Sequence, residues 1–463
     1  MSIDSGITRR RFVQTLAAGA ACSIVPGNVT ALERHRPPKR PPNVLFILAD
    51  DLGYGDLSLY GRPDYRTPVL DRFAREGIRF TDAYTAQCIC TPTRVAWITG
   101  RYPQRLPIGL VEPLAYGDNS VGIPPGHPTV ASLLKSAGYD TSLVGKWHLG
   151  YLPEYSPITH GFDEFYGILS GGVDYFTHEE PSGKLDLHEG NVTVEQAGYM
   201  TDLLTDRAVK YLKRKHTRPF FLSLQYTAPH WPWEGPQDKH GAEKPHPIRF
   251  TGGGSPKIYA SMMKSLDDNV GRVLKTLADA GLERDTLVVF TSDNGGERWS
   301  YNWPTSDGKA TLREGGIRVP AAVRWPGVIP PNVVSHTPII TMDWTATLVK
   351  AGGASPDANY PFDGIDLMPL CRGAVTDRAM AERTFCFRTI RQSALRRGRW
   401  KYWEASLPKP GDTGLFDVVA DPGEHANVRD QHGDVYDGLK QAFDAWNATM
   451  LPRPLPAAET GLP

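Results

Sequence analysis

The alternation of short apolar runs with helix-forming stretches is the feature that most constrains the fold. The first run, residues 43–48 (NVLFIL), has the composition expected for a strand buried on both faces of a parallel sheet. Similar runs recur at residues 141–144, 220–224 and 287–290, and helical stretches lie among them at residues 68–76, 129–137, 200–213 and 258–280. The pattern predicts an α/β fold with a large, mostly parallel sheet sandwiched by helices.

The pattern changes after about residue 380. Short strand-like segments follow one another at residues 384–388, 392–396, 400–403 and 414–417, and a helical stretch covers residues 435–450. This order predicts a smaller C-terminal α+β subdomain with an antiparallel sheet. We therefore expect a catalytic domain over residues 43–379 and this subdomain over residues 380–463.

The N-terminal residues have the composition of a targeting segment. Residues 8–13 (TRRRFV) precede an alanine-rich apolar run and small residues near position 31. Residues 1–31 thus resemble a twin-arginine signal peptide, and residues 32–42 form a proline-rich linker. We expect a bacterial protein exported by the twin-arginine machinery to the periplasm or the extracellular space. No other segment approaches the roughly 20 apolar residues of a membrane span.

Charge and cysteine content exclude several classes of protein. Lys plus Arg equals Asp plus Glu at 51 each, so no net charge draws the chain to nucleic acid or anionic lipid. The five cysteines are too few and too scattered for a disulfide framework.

Polar residues follow two of the predicted strands. Asp50 and Asp51 come after the first run, and Asp293 and Asn294 come after the run at 287–290. Ligands of open α/β sheets bind beyond the carboxyl ends of the strands, where these side chains would meet. Their oxygen atoms favour Ca²⁺, or less readily Mg²⁺, over zinc. Capping of turns is the alternative role for each pair.

The segment from Cys88 to Arg94 (CICTPTR) offers a candidate nucleophile. Thr91 suits a helix N-cap and Pro92 the first helical position, which would place Cys90 just before a helix N-terminus. That position would lower the pKa of the thiol and favour an anionic substrate, and Arg94 could face the same point. The alternative is a short surface helix with an incidental cysteine.

The run Cys90-Thr91-Pro92-Thr93-Arg94 resembles the C-x-P-x-R signature of type I sulfatases, the branch of arylsulfatases and N-acetylgalactosamine-6-sulfatases in particular. In that family the cysteine is converted to Cα-formylglycine, which implies a maturation enzyme as a partner. The motif selects Cys90 over Cys88, because only Cys90 has proline at +2 and arginine at +4. The resemblance implies an alkaline-phosphatase-like fold.

Five further segments resemble blocks of the same family, in the same order. They are residues 43–51, the GKWHLG run at 145–150, the APH run at 228–230, and the SDNG and GK segments at 292–295 and 308–309. The resemblance implies the catalytic residues Cys90, Arg94, Lys146, His148, His230 and Lys309. It implies calcium ligation by Asp50, Asp51, residue 90, Asp293 and Asn294.

The sequence therefore predicts hydrolysis of sulfate esters, with sulfated carbohydrates favoured over aryl sulfates. His148 would accept a proton from the hydrated residue 90, and His230 or Lys309 would protonate the leaving oxygen. Aromatic faces for a sugar ring are offered by Trp231, Trp233, Trp299 and Trp303.

Other functions are open to the same residues. The nearest alternative is a phosphonate monoester or phosphodiester hydrolase of the same superfamily. A non-catalytic binder of sulfated glycans, and a cysteine hydrolase that uses Cys90 as a thiolate, are more distant alternatives.

Overall fold

The computed structural model describes residues 40–238, 253–405 and 411–454. The predicted signal peptide, residues 1–31, and all but the end of the linker at residues 32–42 lie outside the described residues. In the described chain no helix is both long enough and apolar enough to cross a membrane.

Eleven strands of the described chain form one large sheet. They are β1 (Asn43–Ala49), β2 (Ile78–Tyr84), β3 (Asp140–Lys146), β4 (Glu164–Ile168), β5 (His188–Glu189), β6 (Val192–Thr193), β7 (Phe220–Gln225), β8 (Thr286–Ser292), β9 (Arg318–Arg324), β10 (Val333–Ser335) and β11 (Ile339–Ile340). Their order is β10-β2-β9-β8-β1-β7-β3-β4-β5-β6, and β11 also pairs with β2. The central strands β8, β1, β7, β3 and β4 are parallel, whereas β9 runs antiparallel to both of its neighbours. The prediction of a mostly parallel sheet is confirmed.

Ten α-helices accompany the sheets within the described residues. They are α1 (Pro68–Arg75), α2 (Cys90–Thr99), α3 (Val130–Ser136), α4 (Met200–Leu212), α5 (Pro256–Asp279), α6 (Glu314–Ile317), α7 (Thr341–Ala351), α8 (Met368–Cys371), α9 (Asp377–Met380) and α10 (Gly433–Asn447).

The central strand β1 shows why the sheet is covered on both faces. Its seven residues are all buried, and successive side chains point to opposite faces of the sheet. Val44 and Phe46 belong to a core shared with α2, α3 and α7, whereas Leu45 and Ile47 belong to a core shared with α1, α4 and α5. An unbroken apolar run is therefore what this position requires.

A second, smaller sheet is antiparallel throughout. It contains β12 (Thr384–Arg388), β13 (Gln392–Arg397), β14 (Trp400–Ala405) and β15 (Thr413–Asp417), in that order. Phe385 on one face packs with Tyr84 of the large sheet, and Leu395 on the other face packs with α10. The predicted antiparallel sheet and closing helix are present, and the domain boundary near residue 380 stays a prediction.

The helix at Cys90 differs from its predicted form. Helix α2 begins at Cys90 itself, its N-cap is Ile89, and no side chain caps it. Thr91 instead accepts a hydrogen bond from the backbone of Leu114, because all ten residues of the helix are buried and their hydroxyls bind neighbouring segments. The N-cap assignment of Thr91 was wrong, and so was the alternative of a surface helix.

Candidate active site

The carboxyl ends of β1 and β8 bring four polar side chains together. The two strands are parallel and in register, with Ala49 opposite Ser292, so the residues that follow them meet at one edge of the sheet. Asp50, Asp51, Asp293 and Asn294 are all buried there, none more than 2% exposed. Three carboxylates at one buried point repel one another unless positive charge lies among them.

Cys90 faces this cluster from the start of α2. Its Sγ atom lies 3.5 Å from Oδ1 of Asp50 and 4.0 Å from Oδ1 of Asp51. His230 completes a group whose ligand atoms lie within 4.8 Å of one another, and its Nε2 is 3.6 Å from Oδ2 of Asp51. Burial and the charge of Asp293 raise the pKa of the Cys90 thiol well above its usual value. The prediction that this pKa is lowered was wrong, because burial and the nearby carboxylates disfavour the thiolate.

The donor set fits a hard divalent cation. Oδ1 of Asn294 is buried and accepts no hydrogen bond from the described residues, while its Nδ2 donates to Oδ1 of Asp51 at 2.7 Å. Burial and the charge of Asp293 raise the pKa of Asp50 to about 8. Carboxylate and amide oxygens are the ligands that Ca²⁺ prefers, so these residues could hold it.

Arg94 lies behind the pocket lining and is hydrogen-bonded to the carboxylate cluster. Its guanidinium donates to Oδ2 of Asp293 through Nε at 3.0 Å and Nη2 at 2.9 Å. Nη1 donates to Oε1 of Gln225 at 2.7 Å and to the backbone oxygen of Lys146 at 3.0 Å. Burial raises the pKa of Asp293, but the positive charges of Arg94 and Lys146 together lower it below its usual value. Arg94 therefore holds Asp293 ionised and fixed.

Substituting Arg94 with alanine is expected to lower the free energy of unfolding by about 3–5 kcal/mol, because it leaves Asp293 buried without its bidentate partner. Urea denaturation followed by fluorescence measures the change. Arg207→Ala is the matched control, since Arg207 pairs with the exposed Glu189 at 2.6 Å and should cost less than about 1 kcal/mol. Equal losses in the two variants would contradict the proposed anchoring role.

Two lysines neutralise two of the carboxylates. Nζ of Lys146 lies 2.7 Å from Oδ2 of Asp50, and Nζ of Lys309 lies 2.7 Å from Oδ2 of Asp51. Lys146 is fully buried at the end of β3, whereas the Lys309 side chain is 15% exposed. Burial lowers the pKa of Lys309, but Asp51, Cys90 and Glu297 together raise it well above its usual value, so this ammonium stays charged.

In each of the two site histidines, one ring nitrogen is hydrogen-bonded to a backbone oxygen. Nε2 of His148 lies 3.1 Å from the backbone oxygen of Leu114, and Nδ1 of His230 lies 2.6 Å from the backbone oxygen of Trp231. A carbonyl oxygen only accepts, so these nitrogens carry the protons. Burial and the neighbouring ammonium groups lower both pKa values well below the usual range. Both rings are therefore neutral, and Nδ1 of His148 has no hydrogen-bond partner among the described residues.

The backbone is held in an uncommon conformation at two of these positions. Asp51 has φ of 62° and His148 has φ of 55°, in the left-handed region that residues other than glycine rarely adopt. Such conformations persist where surrounding contacts fix them, and they concentrate at functional sites.

A pocket of about 320 Å³ leads from the surface to Cys90. Cys90, His148, His230 and Lys309 line it, while Arg94, Lys146 and the carboxylates lie behind them. Its remaining wall is formed by Ile89, Glu112, Pro113, Leu114, Tyr116, Gly171, Trp231, Glu297 and Ala310. The structure thus brings the predicted site residues together. Sequence reasoning missed Gln225, Glu112, Tyr116 and Glu297, of which only Glu297 carries a signal, as it follows the SDNGG segment directly.

Of the four tryptophans considered for sugar stacking, the structure places Trp231 on the pocket wall. Trp233 is buried and packs edge-to-face against Trp299, with ring centroids 6.3 Å apart. Trp303 is 61% exposed and stacks on Tyr301. Trp231 is therefore the best placed of them to contact a substrate.

The fold and the pocket together define a hydrolase of the α/β class that acts on esters of a small anion. The candidate nucleophile Cys90 and the ammonium of Lys309 line the pocket, and the ammonium of Lys146 lies behind it. A family model described as Sulfatase matches residues 42–354, and the chain belongs to this family of sulfuric ester hydrolases. The predicted resemblance is confirmed.

Individual relatives agree with this assignment. The chain is 33% identical to N-acetylgalactosamine-6-sulfatase of Rattus norvegicus, over 78% of this chain and 71% of that protein. It is 34% identical to human arylsulfatase A, over 84% of this chain and 83% of that protein. Among solved structures, Ps i-CgsB in complex with k-i-k-neocarrahexaose matches with a TM-score of 0.79 and 29% identity, over 90% of this chain and 94% of that one.

Proposed function

We propose that this protein hydrolyses sulfate esters of carbohydrates, with residue 90 as the nucleophile after conversion to formylglycine and with Ca²⁺ bound beside it. The single observation that carries the proposal is the position of Cys90. It lies at the inner end of the pocket, 3.5 Å from Asp50, with the ammonium groups of Lys146 and Lys309 on the two neighbouring carboxylates.

Asp50, Asp51, Asp293 and Asn294 would hold the cation, together with residue 90. A divalent cation here would offset the negative charge of the sulfate oxygens, which otherwise repel an incoming nucleophile. Ca²⁺ is favoured over Mg²⁺ because all of these donors come from the protein, and Mg²⁺ more often keeps several waters.

The residue at position 90 would supply a hydroxyl group of the hydrated aldehyde for attack on sulfur. Lys309, which lines the pocket, and Lys146, which lies behind it, neutralise the sulfate oxygens. The proton reaches the leaving oxygen either from Lys309 at Nζ or from His230 at Nε2 after that nitrogen has taken up a proton. This attack would leave a sulfate ester on residue 90. His148 would then accept the proton of the second hydroxyl at Nδ1, the ring nitrogen that has no partner among the described residues, so that the carbon–oxygen bond to sulfate breaks, sulfate leaves and the aldehyde is restored.

The carbohydrate assignment rests on the relatives and on the pocket wall. The similar proteins include an N-acetylgalactosamine-6-sulfatase and Ps i-CgsB, which was crystallised with k-i-k-neocarrahexaose. Trp231 offers an aromatic face beside the catalytic groups, suited to the C–H face of a sugar ring. Aryl sulfates would serve as artificial substrates with better leaving groups.

Parallel assays with 4-nitrophenyl sulfate, an aryl phosphonate monoester and positional isomers of monosulfated galactose and N-acetylgalactosamine test this function. We expect kcat/KM for the aryl sulfate to exceed that for the phosphonate by about 100-fold or more, because the site is complementary to the sulfate transition state. Preference for the phosphonate would establish the alternative hydrolase. Saturable binding of the sugars without turnover, in protein that contains formylglycine, would establish a non-catalytic binder.

We further propose that residues 1–31 direct export through the twin-arginine machinery, and that the catalytic domain covers residues 43–379. The TRRRFV segment supports the export signal. The separate antiparallel sheet, which starts at Thr384, supports the domain boundary. Export of an already folded chain would let a cytoplasmic maturation enzyme modify Cys90 first.

A further inference from the structure

The ammonium of Lys309 is held by a carboxylate that the proposed cation also needs. Its Nζ lies 2.7 Å from Oδ2 of Asp51, and Asp51 is one of the proposed calcium ligands. A cation on Asp51 would repel the ammonium and compete for the same oxygen. Lys309 therefore needs a second anionic partner if it is to stay in the pocket in the working enzyme.

Glu297 is placed to be that partner. Its Oε2 lies 3.8 Å from Nζ of Lys309, is buried, and receives no hydrogen bond from the described residues. A buried carboxylate oxygen without a donor is costly unless a partner reaches it. The other acidic residue among those that line the pocket is Glu112, and both of its oxygens are satisfied, by Gln87 at 2.9 Å and by the backbone of Ile390 at 3.0 Å.

The backbone fixes Glu297 and Lys309 as neighbours. The amide of Lys309 donates to the backbone oxygen of Gly296 at 3.1 Å. Asn302 braces the same loop, since its Nδ2 donates to the oxygen of Gly296 at 3.0 Å and to that of Asp307 at 2.9 Å. A short movement of the Lys309 side chain alone would therefore bring its ammonium onto Glu297.

Trp231 forms the third side of this arrangement. Nζ of Lys309 lies 5.8 Å from the centroid of the Trp231 ring, within the range of a cation–π contact. Glu297 and Trp231 thus both lie beside the ammonium of Lys309, with Oε2 of Glu297 at 3.8 Å from Nζ.

We propose that Glu297 is a positioning residue that takes over the ammonium of Lys309 from Asp51 when the cation binds and holds it as the proton donor to the leaving oxygen. This inference rests on the proposed function and assigns the leaving-group proton to Lys309 rather than His230. Alkoxide leaving groups need that proton, whereas 4-nitrophenolate leaves without it. Glu297 thereby adapts the site to sugar sulfates.

The first test compares leaving groups. In Glu297→Gln, kcat for a series of phenyl sulfates should fall progressively as the leaving phenol becomes less acidic. We expect a rate within about 2-fold of wild type on 4-nitrophenyl sulfate, and a loss of about 10- to 100-fold on the best-hydrolysed monosulfated sugar, with KM little changed. Arg298→Gln, which alters the exposed neighbouring residue, is the matched control and should leave the series unchanged. Equal losses across the series, or no loss, would overturn the proposal.

The second test measures cation binding without turnover. Calorimetric titration of the metal-stripped protein with Ca²⁺ should give a dissociation constant about 5- to 10-fold weaker in Glu297→Gln, because Lys309 then stays on Asp51. In a Lys309→Ala background the same substitution should have no further effect. If Glu297→Gln still weakens Ca²⁺ binding in the Lys309→Ala background, the proposal is overturned, because the effect would then come only from the lost charge of Glu297. If wild-type protein hydrolyses no sulfate ester at all, the proposed function fails, while this binding test can still be read.

Discussion

Cys90→Ala is expected to lower kcat/KM for sulfate esters by at least about 1,000-fold, while Cys88→Ala retains most of the activity. The two thiols lie two residues apart, but only Cys90 faces the carboxylates, at 3.5 Å from Asp50. The Cys88 thiol instead lies 3.0 Å from Oε1 of Gln87 and belongs to a core shared with the smaller sheet. Steady-state kinetics on 4-nitrophenyl sulfate, at matched fractions of folded protein, measures the difference.

Mass spectrometry of the peptide that spans Cys90 provides the chemical control. Wild-type protein from its natural host should carry the mass change of a thiol converted to an aldehyde at residue 90 and at no other cysteine. Cys88→Ala should keep that conversion, because the C-x-P-x-R motif counts from Cys90. Unmodified cysteine in fully active protein, or equal loss of activity in the two variants, would exclude residue 90 as the proposed nucleophile.

The central strands could be predicted from sequence because their burial leaves an unbroken apolar pattern. The run at 43–48 is β1, which the structure extends by one residue to Ala49. Strand β9, in contrast, has the sequence RVPAAVR. Its proline and terminal arginines interrupt the apolar pattern, so it could not be predicted as a strand. The arginines are tolerated because Arg318 pairs with Asp82 and Arg324 pairs with Glu76 and Glu283, partners that only the tertiary fold supplies.

The residues of the candidate site also fall into those that could be predicted from the sequence and those that could not. The residues at strand ends and in the C-x-P-x-R segment could be predicted because their spacing is local. Gln225 could not, because it reaches Arg94 only through the pairing of β7 with β1 and β3. The start of α2 was misplaced for a related reason: Thr91 has the composition of a cap, but burial commits its hydroxyl to Leu114. Local capping propensity therefore does not decide where a helix starts when tertiary contacts satisfy the same polar groups.

Removal of the proposed cation should lower activity by about 100-fold or more while the protein stays folded. The charges explain the difference: without the ion, Lys146 and Lys309 pair with Asp50 and Asp51 at 2.7 Å, and Arg94 pairs with Asp293. Each of the three carboxylates thus has a cationic partner in the protein itself, and we expect the fold to persist when the ion is removed. The sulfate oxygens, however, would lose their strongest neutralising charge.

Dialysis against a chelator, followed by titration with Ca²⁺ or Mg²⁺, measures this effect. Ca²⁺ should restore activity and raise Tm by about 5 °C or more at saturation, because it binds only the folded state, and Mg²⁺ should restore less. Asp51→Asn should weaken Ca²⁺ binding strongly, since it removes the charge of an oxygen donor that also faces Cys90. Asp268→Asn, which changes an exposed carboxylate paired with Lys264, should leave binding unchanged. Full activity in protein shown by elemental analysis to lack divalent metal would contradict the calcium site, and the cationic side chains alone would then have to neutralise the sulfate.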